Sequence, residues 1–217
     1  LQRMTNADLS NDAFKFMRSR KIDVAGVECI AIRVSFTGDL GWELHCAEGD
    51  QVTLYSALID AARDCGGGPV GGRALGSLRI EKGYGSWGRE YSPEYWPQEA
   101  ALERLIKLDK EFLNKEAYLD IKDNTPRERL SMIELEAIHD ADASGGEPVF
   151  MTDGTPVGRV TSGAYGYSVK KSLALAYLKE GLVEPGTAVE VYVLGIPHKA
   201  IVLAESPFDP RGEKLRG

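Results

Sequence analysis

Residues 147–166 read EPVFMTDGTPVGRVTSGAYG, two apolar, β-branched runs parted by Asp153-Gly154. An Asp-Gly pair tolerates the positive φ angles of a tight two-residue turn, so the stretch predicts a β-hairpin. Around it RLSMIELEA, SLALAYL, TAVEVYVLG and HKAIVLAES supply more short runs between turn residues, without helical period. Strands packed this densely beyond Leu130 predict a small antiparallel β-barrel or sandwich.

The chain before that point has a different texture. IDV and VECIAIRVSF, joined across Ala25-Gly26, predict another hairpin. Alternation of Val27, Cys29, Ala31 and Arg33 against Glu28, Ile30, Ile32 and Val34 is imperfect, predicting a strand buried on both faces for part of its length. Ser10 and Asn11 precede an apolar-polar stretch, the pattern of a short capped helix. GDQVTLYSALIDAARDCGGG places Val52, Tyr55, Leu58, Ile59 and Ala62 at helical spacing. Asp50 would cap that helix and Gly66 to Gly68 would stop it. A second helix, roughly ALGSLRIEKG, ends at Gly83. From there to Leu108 tyrosines and tryptophans crowd among Gly and Pro, the composition of a long loop where sites often lie. NKEAYLDIKDN reads as a short helix, and TPRER marks the expected boundary between domains at residues 1–122 and 127–217.

Composition bounds the function. The 217 residues are 43% hydrophobic and 27% charged with net charge −7, which fits globular domains and leaves no basic stripe for nucleic acid. No apolar run is long enough to cross a bilayer, and no secretory leader opens the chain. Cys29, Cys46 and Cys65 include no CxxC pair, so reduced thiols acting as small buried residues are expected, in the cytoplasm or, in a eukaryote, the mitochondrial matrix. The chain opens on Leu1 rather than Met, which points to a piece of something longer. GxGxxG, GxxxxGK[ST], HExxH and GxSxG are missing, and His45, His139 and His198 have no ligand spacing, so no metal is assigned. Gly66-Gly67-Gly68-Pro69 follows a helix rather than a strand, which suits a helix stop better than a phosphate loop.

One carboxylate stands out in SFTGDLGWELHC, residues 35–46. On a strand Trp42 and Leu44 share one face, and Glu43 lies on the other with Gly41 and His45. Two readings stand: an ordinary solvent-facing glutamate, or an acceptor for a ring that offers an N–H and an amino group side by side, as pterins and guanines do. Gly38 and Gly41 would leave room for such a ring.

Four blocks in order, SFTGDLGWELH, GSLRIEKGYGSWGRE, KLDKEFLNKEAYL and GRVTSGAYGYSVKKSLALAYL, resemble the tetrahydrofolate-binding aminomethyltransferase family typified by the glycine cleavage system T protein. GWELH, KGYGSWG and the closing SPFDPRGEKLR are most similar to the carboxy-terminal region of dimethylglycine and sarcosine dehydrogenases. The resemblance implies an α+β chain: part of a folate-binding α/β domain, then a small C-terminal antiparallel β-barrel. It implies tetrahydrofolate as cofactor, with any flavin confined to an absent N-terminal domain.

Site residues follow only through that resemblance. Glu43 falls where the family's glutamate bonds the pterin, and Phe36 where a tyrosine is frequent. Arg79, Tyr84 and Trp87 match the helix end and the aromatic loop behind it. For Arg79 the alternative is an ion pair with Glu43 or Glu81; for Tyr84 and Trp87 it is ordinary core packing. Leu75 stands where the T protein has an arginine, which favours the dehydrogenase-linked branch. Tyr165 and Tyr167 match a glycine-rich strand and turn and are expected to pack rather than to touch ligand. The family's essential aspartate lies in the amino-terminal half; Asp8, Asp12 and Asp39 do not stand in its context, so no catalytic residue is assigned. The implied function is one-carbon transfer to folate for an N-methyl amine dehydrogenase, forming 5,10-methylenetetrahydrofolate. A T-protein-like aminomethyltransferase and a non-catalytic folate-binding or interaction module are the alternatives. The implied partners are a one-carbon donor and a missing N-terminal half or partner subunit.

Overall fold

A computed structural model describes residues 1–136 and 141–217, so His139 lies outside the described residues. The chain divides into two compact units, Leu1–Leu78 with Asp209–Gly217, and Arg79–Phe208.

In the first unit β1 (Ser19–Val24), β2 (Val27–Ile32) and β3 (Glu43–His45) form an antiparallel sheet in that order. Ala25 and Gly26 turn the first hairpin with φ of 52° and 84°, the mirror-image turn whose twist suits paired strands. Along β2 burial alternates cleanly: Val27, Cys29 and Ala31 are buried, whereas Glu28 and Ile30 are exposed. The expectation of a strand buried on both faces is therefore overturned: among the described residues of this unit the packing layer lies on the face of Val27, Cys29 and Ala31. That layer contains Phe14 and Leu54, with Trp42, Leu44 and Leu58 against it.

Helix α1 (Gln51–Asp64) supplies Leu54. Two details depart from the sequence reading. Val52 and Tyr55 are exposed rather than core, since the buried stripe runs through Leu54 and Leu58. Asp50 makes no capping bond through its side chain, for the preceding turn Glu48–Asp50 is already helical. The glycine stop holds: Gly66 has φ 77° and the Gly67 N–H closes on the Ala62 carbonyl at 2.7 Å. No helix follows Ser10 and Asn11; turns from the Phe14 N–H to the Ser10 carbonyl and from the Arg18 N–H to the Lys15 carbonyl give way to β1. Helix α2 (Gly72–Glu81) ends where expected, with Gly83 at φ 71°.

In the second unit a short helix α3 (Lys115–Ile121) precedes a closed barrel. Its strands are β4 (Glu128–Leu135), β5 (Pro148–Phe150), β6 (Pro156–Gly166), β7 (Lys171–Lys179), β8 (Ala188–Val193) and β9 (Ile196–Val202), ordered β4-β7-β6-β5-β8-β9. β5 and β6 form the hairpin around Asp153-Gly154, though the strands stop at Phe150 and Pro156, so the loop is longer than two residues. β7 is the strand buried on both faces. Ala174, Ala176 and Leu178 fill the barrel, while Leu173 and Leu175 pack outside it with Ile80 and Met132. Each large aliphatic side chain so enclosed contributes roughly 1.5–3 kcal/mol. The last helix, α4 (Glu213–Arg216), belongs to the first unit.

Candidate functional site

In the first unit, pairing with β2 sets which way Glu43 faces. Glu43 lies opposite Ile32, Leu44 opposite Ala31 and His45 opposite Ile30. Leu44 turns into the core, and Trp42 meets Phe14 edge-on at 4.7 Å. The alternation then leaves Glu43 on the open face, its side chain 61% exposed. His45 Nε2, 3.5 Å from Oε2, is the neighbour it faces, at a distance too long for a strong hydrogen bond. The carboxylate thus keeps acceptor capacity on both oxygens for a bidentate donor.

Phe36, in the loop between β2 and β3, is exposed. Gly38 takes φ 88° in that loop and its N–H bonds to Ser35 Oγ at 2.9 Å. Gly41 answers to the chain itself, because a Cβ there would overlap the Val34 carbonyl oxygen. A groove of about 670 Å³ runs beside β3 against α1, lined by residues that include Trp42, Leu44, His45, Leu54 and Tyr55.

In the second unit Arg79 is buried. Its Nη1 donates to Glu90 Oε2 at 3.2 Å and to the Tyr84 carbonyl at 2.9 Å. The ion pair anticipated with Glu43 or Glu81 forms instead with Glu90. Burial lowers the pKa of Arg79 and the charge of Glu90 opposes that shift. Glu90 is itself held below the usual carboxylate range: burial raises its pKa, but hydrogen bonds from Ser162, Thr161 and Ser86 and the charge of Arg79 together outweigh it. Sequence reasoning passed over Glu90, a carboxylate in a loop with no periodicity to mark it.

Tyr84 is half-buried, with Lys82 Nζ 5.9 Å from its ring centre. Trp87 is 78% exposed, so packing between helix and loop does not account for it. Tyr165 and Tyr167 meet edge-on at 5.0 Å, and Tyr167 is exposed. Leu75 lies partly exposed on α2. Of the three thiols Cys29 is buried as expected, whereas Cys46 is partly exposed and Cys65 is exposed.

Comparison with known proteins now identifies the class. Residues 1–110 match the GCVT N-terminal domain and residues 129–209 the glycine cleavage T-protein C-terminal barrel domain. The chain belongs to the glycine cleavage T-protein family, a family of folate-using aminomethyltransferases. It is 41% identical over 94% of its length to the mitochondrial dimethylglycine dehydrogenase of Homo sapiens, of which it spans 24%. It is 32% identical over 99% of its length to the aminomethyltransferase of Caldanaerobacter subterraneus subsp. tengcongensis, spanning 56% of that protein. The crystal structure of glycine cleavage system aminomethyltransferase T from Bartonella henselae superposes with a TM-score of 0.81, covering 94% of this chain and 56% of that one at 24% identity. That likeness establishes the fold, mixed helix and sheet with a closed C-terminal barrel.

Proposed function

We propose that this chain is the tetrahydrofolate-binding one-carbon transfer module of an N-methyl amine dehydrogenase of the dimethylglycine or sarcosine type. The observation that carries the reading is Glu43: a carboxylate on the open face of β3, with His45 Nε2 3.5 Å from its Oε2. Its two oxygens match a pterin edge that presents a ring N–H beside an amino group, and each bond is strengthened by the carboxylate charge. Phe36, with its ring exposed and no hydroxyl, offers stacking without a polar bond. In the other unit Tyr84 and Trp87 offer ring faces of the same kind. Arg79 is engaged by Glu90 and Tyr84, so its contribution to folate binding is to hold the backbone that carries Tyr84.

Tetrahydrofolate, when bound, would supply two ring-proximal amines to formaldehyde, forming two C–N bonds as the C=O bond breaks and water leaves, to give 5,10-methylenetetrahydrofolate. The chain's own part is to bind and orient, which by itself accelerates reaction through effective concentration. No group of this chain is assigned to proton transfer. A flavin domain would produce the electrophile. The relatives' greater length and the exposed Ile30 on the open sheet face support a further half of the polypeptide, or a partner subunit, as the cover of that face.

The test is Glu43→Gln in the full gene product, titrated with tetrahydrofolate by calorimetry. Loss of a charge-assisted bond to the bound pterin weakens affinity roughly ten- to a hundredfold. Unchanged affinity rejects the pterin role of Glu43. A flavin band in the visible spectrum of the native product separates this reading from that of a T-protein-like transferase.

A further inference from the structure

Glu90 is fully buried, and donors converge on both of its oxygens. Oε2 accepts from Arg79 Nη1 at 3.2 Å, from the Ser86 N–H at 2.8 Å and from Ser86 Oγ at 3.3 Å. Oε1 accepts from Thr161 Oγ1 at 2.6 Å and from Ser162 Oγ. The backbone carbonyl of Glu90 accepts from the Tyr177 hydroxyl at 2.7 Å. A carboxylate removed from water is costly unless so met.

Two of these donors are consecutive residues of β6. Consecutive strand side chains ordinarily point to opposite faces. Here the register of β6 against β7 shifts between Val160 and Ser162, and such a bulge re-aims a side chain. Both hydroxyls thereby reach one carboxylate.

The same carboxylate ties down the aromatic loop. Ser86 and Arg79 anchor it, and Arg79 also holds the Tyr84 carbonyl at 2.9 Å. Inside the loop the Gly88 N–H bonds to the Tyr91 carbonyl at 2.8 Å. Gly85 has no room for a side chain, since a Cβ would lie 2.6 Å from the Tyr91 ring and 2.7 Å from Glu90 Cβ. Yet Trp87, between these anchor points, stands 78% exposed. A rigid mount beneath an exposed indole is costly to build and contributes nothing to the core through that indole.

We propose that Glu90 is a positioning residue: by clamping residues 84–91 to the bulge of β6, it holds Trp87 and Tyr84 with their rings presented to a flat ligand. The ligand identity rests on the tetrahydrofolate reading above. Glu90 itself touches no ligand; it acts through the loop.

The test uses the full gene product labelled with 5-fluorotryptophan and observed by fluorine NMR, with the Trp87 resonance assigned by Trp87→Phe. Glu90→Gln keeps the shape and removes the charge. The expected result is a Trp87 resonance that narrows and moves toward the free-peptide position while that of Trp42 stays. Tetrahydrofolate binding weakens about tenfold, the scale of a lost aromatic contact; Trp87→Ala shows the same loss, and Glu90→Gln adds nothing to it. An unchanged Trp87 resonance in Glu90→Gln overturns the clamp. A shifted resonance with Trp87→Ala binding as tightly as wild type overturns the ligand part of the proposal, while Glu43→Gln still reports on the folate reading separately. If Glu90→Gln does not fold, Thr161→Val removes one donor, leaves the charge, and is read by the same signals.

Discussion

Arg127 closes its guanidinium on both oxygens of Glu99, Nε to Oε1 at 2.8 Å and Nη2 to Oε2 at 2.9 Å. The Trp96 N–H adds a third donor at 2.9 Å, and the Leu130 N–H binds the Glu99 carbonyl at 2.7 Å. The pair thus pins the end of the aromatic segment to the entry of β4. The fork of an arginine matches a carboxylate in this geometry in a way lysine cannot.

That pair carries a pH dependence. The Arg127 hydrogen bonds hold the Glu99 carboxyl down to about 2, against an ordinary 4.5. A depressed folded-state pKa stabilises above the unfolded value, so the contribution, on the order of 3 kcal/mol, is complete above about pH 5 and is lost as pH falls toward 2. Urea melts of wild type and Glu99→Gln between pH 7 and pH 2.5 should differ most at the neutral end and converge in acid. Parallel curves would reject the assignment.

Gly158 is required by the barrel. A Cβ there would overlap the Tyr177 carbonyl oxygen, which belongs to the neighbouring strand, and would lie 3.0 Å from Leu178 Cδ2. Backbone cannot yield as a flexible side chain does. Gly158→Ala should cost roughly 2–3 kcal/mol, read as a lower denaturation midpoint together with faster amide exchange along β6 and β7.

Arg33 is a buried cation that faces carbonyls rather than a carboxylate. Its Nη1 donates to the Phe14 carbonyl at 2.6 Å; Nη2 donates to the Arg216 carbonyl at 2.6 Å and to Asn11 Oδ1, and the guanidinium lies 5.7 Å from the Trp42 ring centre. Arg33→Met keeps the stem and deletes those bonds. The expected loss is about 2 kcal/mol or more, and amide exchange of residues 213–217 should quicken in the variant.

The thiols should react in order of exposure. Cys65 is exposed and Cys46 partly so, whereas Cys29 is buried and burial pushes its pKa up. Ellman's reagent at neutral pH should modify Cys65 first and Cys29 only on unfolding, with the counts following from mass spectrometry.

Much of the architecture was legible because its signals are local. Ala25-Gly26 and Asp153-Gly154 announce turns through backbone freedom, and the short apolar runs between turn residues beyond Leu130 announce strands, though that β7 is the one buried on both faces was not marked by them. Glu43 could be placed opposite Trp42 and Leu44 because strand geometry has period two. The failures share one cause. The stretch after Ser10 and Asn11 reads as a short capped helix by pattern, yet pairing of β1 with β2 claims the chain at Ser19; Tyr55 reads as core, yet the stripe that meets the sheet passes through Leu54.

By itself, then, the sequence determined the strands beyond Leu130, the turns and the alternation that sets Glu43 apart from Trp42 and Leu44, since each depends on residues close together in the chain, whereas the choice of barrel over sandwich depends on pairing between distant strands. Only the tertiary structure decided that Arg79 belongs to Glu90, and that Glu90 is met by hydroxyls of Thr161 and Ser162 more than seventy residues later. A buried charge takes its partners from whatever groups packing brings within about 3 Å. No spacing along a chain encodes that distance.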